Sequence, residues 1–158
     1  MKWRAKSLTG MRFQPLELEA KNDFGRLRSM VKSGILNPRI NMLLSLVRHT
    51  NTLVIADRGF PFWKEVETVD ISLVDDMPRV LDVLAAIRSN FSVARAFMAE
   101  EFNGASSPET ILQFKRALDG IALEFEPHID LKKRVPHAIG IIRTGDTIQY
   151  ANLVLESG

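Results

Sequence analysis

Three histidines, His49, His128 and His137, are the side chains of this sequence that ordinarily gain or lose a proton near neutral pH. Cysteine is absent from all 158 residues, which excludes disulfides, thiol nucleophiles and thiolate metal sites. The histidines lack the i, i+4 or His-x-His spacing that preorganises a metal site, and no acidic cluster accompanies them. Nor does the chain contain Gly-x-Gly-x-x-Gly, Gly-x-x-x-x-Gly-Lys-Ser/Thr or Gly-x-Ser-x-Gly, so it carries no nucleotide fingerprint and no nucleophile elbow. The chemistry left to these residues is proton transfer at neutral pH without a cofactor.

Each candidate also has a plainer reading. His49 follows Arg48 at the end of a predicted helix, where a cationic or dipolar side chain is favourable on its own account. Asp57 closes the apolar run Thr52 to Ala56 and precedes Arg58-Gly59, which is ordinary turn composition but also places a carboxylate at the carboxyl end of a strand. His128 and Lys132 lie four residues apart and project from one face of a short helix. The lysine disfavours the charged imidazole, keeping it neutral and able to donate or accept, although a solvated polar face would look the same. His137 follows Pro136 in a loop and reads as structural or exposed.

The elements that must position these groups are legible as periodicity and punctuation. Asn37-Pro38 is a cap followed by proline at the first helical position, and Ile40, Leu43, Leu44 and Val47 predict a helix over 38–48. Thr52 to Ala56 predicts a buried strand, and Val69, Ile71 and Leu73 a second. A helix is expected from Pro78, a strand over 92–99, and a helix opened by Ser107-Pro108-Glu109. Strands over 121–125, 138–142 and 150–155, with a short helix over 127–135, complete the alternation. The expected fold is α/β, a three-layer single domain with a mixed, mostly parallel sheet flanked by helices.

Length allows one substantial core, and no apolar run reaches the roughly 20 residues of a membrane helix, so a cytoplasmic protein is expected. Residues 1–29 carry seven Lys/Arg and three Asp/Glu, a net of +4 that leaves −2 for the rest of the chain's +2. They read as a basic N-terminal extension, either a disordered arm or a stretch ahead of a natural start at Met30. Acidic and apolar residues interrupt this patch, and it is not read as a nucleic-acid or membrane arm.

Four motifs stand in order: Gly34-Ile35-Leu36-Asn37; His49-Thr50-Asn51-Thr52-Leu53-Val54 with Asp57; His128 to Lys132; and Ile142-Arg143-Thr144-Gly145 followed by Tyr150-Ala151-Asn152. Together they resemble the ribose pyranase and fucose mutarotase family, closer to the ribose pyranase branch, over residues 30–158. The resemblance implies a sugar isomerase in which His49 is the proton donor and Asp57, His128, Lys132, Tyr150, Ala151 and Asn152 bind a monosaccharide. It also implies a decamer of stacked pentamers with sites shared between neighbours. The alternatives are a mutarotase of fucose or another sugar and a non-catalytic sugar-binding protein associated with transport. Arg58 to Trp63 departs from the family's Leu-Pro-Ile-Pro-like run, and its bulkier, cationic rim leaves the identity of the sugar open, with an anionic or phosphorylated one as an alternative to a neutral aldose.

Overall fold

The computed structural model describes residues 34–158; the basic segment 1–29 lies outside the described residues. The Asn37 side chain accepts from the amides of Arg39 (2.9 Å) and Ile40 (3.2 Å), and with Pro38 it opens α1 (Pro38–Leu46). That helix stops short of the expected end, leaving His49 in an exposed turn beyond it. Because a helix dipole acts only within the last turn, it does not account for the histidine.

Strand β1 (Thr52–Ala56) is where the aliphatic run predicts it, with Leu53, Val54, Ile55 and Ala56 buried on both faces. Strand β2 (Thr68–Asp70) is shorter than expected, since the Asp70 carboxylate takes the Ser72 amide at 3.0 Å and turns the chain before Leu73. Helix α2 (Val80–Arg88) begins two residues after Pro78, and Asp82 reaches back to the Arg79 amide at 2.8 Å. Strand β3 (Val93–Ala99) runs directly into α3 (Glu101–Ala105), a five-residue helix that the periodicity did not announce. Ser107 caps α4 (Pro108–Ala117) through the Thr110 amide at 3.2 Å. Next come β4 (Ala122–Glu126), α5 (His128–Arg134), a 3-10 turn (Val135–His137), β5 (Ile141–Arg143) and β6 (Leu153–Ser157). The last strand starts later than expected because Tyr150 adopts φ +60, which no strand residue does.

The six strands lie in the order β2-β5-β1-β6-β3-β4, and only β6 runs against its neighbours. Leu53, Ile55, Met98 and Leu153 face α1, α2 and α4 on one side, while Val54, Phe97 and Val154 meet Leu131, Val135 and Phe60 on the other. This is the three-layer, mixed, mostly parallel α/β arrangement expected. The single reversed strand has a consequence for position: it brings the residues just before β6 to the edge where the parallel strands end.

Candidate functional site

At the carboxyl ends of the parallel strands lies a cleft of about 470 Å³, bordered by Asp57, Phe60, His128, Lys132, Tyr150 and Asn152 among others. Asp57 follows β1 and Asn152 precedes β6, and the two side chains clasp each other. The Asp57 amide donates to Asn152 Oδ1 at 2.8 Å, and Asn152 Nδ2 donates to Asp57 Oδ2 at 2.9 Å. Asp57 Oδ1 accepts from the Gly59 amide at 2.9 Å, which turns the chain away from the strand. Burial pushes the Asp57 carboxyl above its ordinary range, opposed by the hydrogen bonds from Asn152 and Gly59. An oriented, poorly hydrated carboxylate of this kind is a strong acceptor for a hydroxyl.

Across the cleft, His128 opens α5. Its amide donates to both carboxylate oxygens of Glu101, at 3.1 and 2.9 Å, so the short unpredicted helix α3 anchors α5. Burial lowers the His128 pKa and Lys132, one turn on, lowers it further, while Glu101 and Asp57 act in the opposite sense. The imidazole is therefore neutral at pH 7. Its Nδ1 is buried and has no hydrogen-bond partner among the described residues, and an atom of this kind is ordinarily met by a water or a ligand. The Tyr150 ring stands edge-on to it, with centroids 5.0 Å apart and planes at 84°.

The cleft thus brings together five of the sequence-predicted residues, namely Asp57, His128, Lys132, Tyr150 and Asn152. Ala151, also expected to bind, is fully buried in the core between Tyr150 and Asn152. His49 is not brought there. It precedes β1 whereas Asp57 follows it, and a five-residue strand is about 17 Å long. His137 is exposed and is not among the residues that line the cleft.

Other residues became apparent only in three dimensions. Asp146, 1% exposed, accepts the amides of Val80 at 2.9 Å and Ile148 at 2.9 Å, tying α2 to the cleft loop. Asp76 holds Thr147 by its amide (3.1 Å) and hydroxyl (2.7 Å). Arg143 donates to the Phe60 carbonyl at 2.9 Å and so fixes the aromatic rim. Arg58 does line the cleft, but it is ion-paired with Asp75. The cationic rim suggested by the sequence is therefore compensated by an acid distant in sequence, which weakens the inference of an anionic ligand. Among the described residues, no group of three or more His, Asp or Glu is arranged to hold a metal ion.

Asn152→Ala would leave the Asp57 amide and one carboxylate oxygen unpaired while buried. A destabilisation of about 1–3 kcal/mol is expected, read as a fall in unfolding midpoint in denaturant. A variant as stable as the parent would mean that the clasp is not a structural bond.

A model of the RbsD / FucU transport protein family matches residues 30–158. The chain is 38% identical over 129 residues to a D-ribose pyranase of Geobacillus kaustophilus, covering 82% of this chain and 94% of that one. It is 36% identical to a D-ribose pyranase of Coprothermobacter proteolyticus, covering 98% of that chain. The fold superposes on Bacillus subtilis RbsD complexed with D-ribose with a TM-score of 0.76 at 30% identity, covering 82% of this chain and 98% of that one. It also matches the fold of a Streptococcus pneumoniae fucose mutarotase in complex with L-fucose, with a TM-score of 0.66 at 19% identity and coverage of 77% and 92%.

Proposed function

The chain belongs to the RbsD / FucU family, and from that premise we propose that it is a sugar isomerase of the D-ribose pyranase type, interconverting pyranose and furanose forms of an aldose. The observation that carries this reading is the cleft itself, where Asp57, neutral His128, Lys132, Tyr150 and Asn152 converge. A sugar's hydroxyls both donate and accept, and a carboxylate, imidazole, phenol and amide meet them in both senses. Opening the hemiacetal requires a proton to leave the anomeric hydroxyl and one to reach the ring oxygen. Closure through a different hydroxyl then gives the other ring size. No redox or group-transfer step is involved, so acid/base residues suffice.

In this reading His49 is the general acid/base and comes from a neighbouring subunit, since its own cleft is at the far end of β1. Two apolar surfaces support such a contact. Met42 and Leu46, 45% and 54% exposed, lie on the helix leading to His49, and Leu73, Val74 and Met77, 55–75% exposed, adjoin the Asp75 that pairs with Arg58 at the cleft. Joining two different patches head to tail generates a ring where the rotation between subunits closes, in keeping with the pentamers, stacked as a decamer, that the resemblance implies.

Magnetisation-transfer NMR on a panel of free sugars tests the proposal. Protein-dependent acceleration of pyranose–furanose exchange is expected for D-ribose; faster exchange of L-fucose alone would favour a fucose mutarotase, and binding without faster exchange would sink the enzymatic reading.

The His128 shift also has a pH signature. With the folded pKa below the ordinary 6.5, the unfolded chain binds the proton more readily, so the contribution of His128 to stability is present above 6.5 and is lost as pH falls through the folded pKa. Thermal unfolding between pH 7 and 5 should therefore fall more steeply in the parent than in His128→Gln. Parallel curves would remove His128 from the account.

A further inference from the structure

The turn that carries His49 is held far more tightly than an exposed turn requires. Thr50 adopts φ +65, a left-handed conformation that is unfavourable for a β-branched residue and that asparagine or glycine would adopt readily. Such strain persists only where the surroundings over-determine it. Here the Thr50 amide donates to the Ser157 carbonyl at 3.1 Å, and its hydroxyl donates to the His49 carbonyl at 2.7 Å. The Asn51 side chain accepts the Arg48 amide at 2.9 Å, and the Asn51 amide returns to the Arg48 carbonyl at 2.9 Å. From the end of β6, Ser157 donates its amide to the Asn51 carbonyl at 3.0 Å and its hydroxyl to the Arg48 carbonyl. Ser157 is 5% exposed, so this brace is part of the folded body. By contrast, the His49 side chain is exposed and has no hydrogen bond within the described residues.

We infer that Thr50 and Ser157 are positioning residues for catalysis: they fix the peptide plane after His49, and with it the direction in which the imidazole leaves this subunit for its neighbour's cleft. The inference rests on the proposed role of His49. A proton-transfer group presented across an interface has no walls of its own subunit to orient it, so its backbone must do so, and misplacement by about 1 Å is enough to cost a hundredfold in rate. A turn that merely connects α1 to β1 would have no use for a strained threonine.

The test compares Thr50→Gly, Thr50→Ser and Ser157→Ala in the full chain, with ribose exchange rates measured over a range of sugar concentrations alongside melting temperature and assembly size. Thr50→Gly removes the strain and the hydroxyl together, so its melting temperature should be unchanged or higher while kcat falls about tenfold or more with KM little altered. Ser157→Ala removes the hydroxyl bond to the Arg48 carbonyl but keeps the backbone bond to Thr50, so it should lower kcat by less than Thr50→Gly, again with KM little altered. Thr50→Ser, which keeps the donor to the His49 carbonyl, should recover most of the rate. Full activity in Thr50→Gly, or a loss that appears only with a lower melting temperature or broken assembly, would overturn the inference. His49→Ala, measured beside them, separates the two possible failures. If it is active, the functional reading falls and this inference with it; if it is inactive while Thr50→Gly is fully active, only this inference falls.

Discussion

Replacing His49 by alanine is expected to abolish protein-accelerated pyranose–furanose exchange, a loss of about a hundred- to ten-thousand-fold, with the melting temperature and the assembly unchanged. The stability half of this expectation follows from the structure: the side chain is exposed and makes no hydrogen bond among the described residues, so within its own subunit its truncation leaves neither a cavity nor an orphaned partner. The rate half follows from the proposed role, and magnetisation transfer on ribose checks it. Because His49 and Asp57 flank opposite ends of β1, the loss should also be complementable. His49→Ala and Asp57→Ala should each be inactive alone, yet subunits of the two variants co-assembled in equal amounts should regain about a quarter of the parental sites, those in which an intact cleft meets an intact neighbouring histidine. Complete inactivity of verified mixed assemblies would place both groups in the same subunit's site and refute sharing.

Gly145→Ala is expected to be the most destabilising single-atom addition near the cleft. A Cβ at this position would stand 2.2 Å from the Val74 carbonyl oxygen, 2.8 Å from that of Met77 and 3.1 Å from the Met77 amide nitrogen, all backbone atoms without a flexible side chain to yield. Backing away would break the bonds that join the two loops here, from the Gly145 amide to the Pro78 carbonyl (2.9 Å) and from the Asp76 amide to the Gly145 carbonyl (2.7 Å). The same loops carry Asp146 and Asp76, which brace α2 and Thr147, so the cleft should loosen with them. The expected cost is about 2–4 kcal/mol, or a melting temperature lower by on the order of 10 °C, with weaker sugar binding. Gly104→Ala is the matched control: it sits in α3 with no atom within 4 Å of the added carbon and should be neutral or slightly stabilising. Equal behaviour of the two variants in calorimetry would refute the close-approach argument.

Where sequence reading succeeded, the controlling interactions were local. Asn37-Pro38 and Ser107-Pro108 cap helices through amides two or three residues away, and the aliphatic run from Thr52 is buried as a central strand must be. Where it failed, a remote contact or an unusual backbone took over. Asp70 turns the chain out of β2, Tyr150 takes a left-handed conformation where a strand was expected, and α3 is too short to show a period. Glu101 and Asp146 carried no signal as isolated acids, because what distinguishes them is a bond to the amide of His128 in one case and Val80 in the other. Arg58 misled for the same reason: its compensating partner Asp75 is seventeen residues away.

The sequence by itself determined the chemistry available, a proton-transfer set without thiols, and the run of helices and strands that carries it, since residue type and short-range periodicity act within a few residues. Only the tertiary structure decided which of those groups meet. The reversed strand β6 carries Tyr150 and Asn152 to Asp57 at the ends of the parallel strands, and the length of β1 keeps His49 away from them. Strand direction and pairing are settled by contacts such as Thr52 with Glu156, residues far apart in the chain, and no local pattern encodes them.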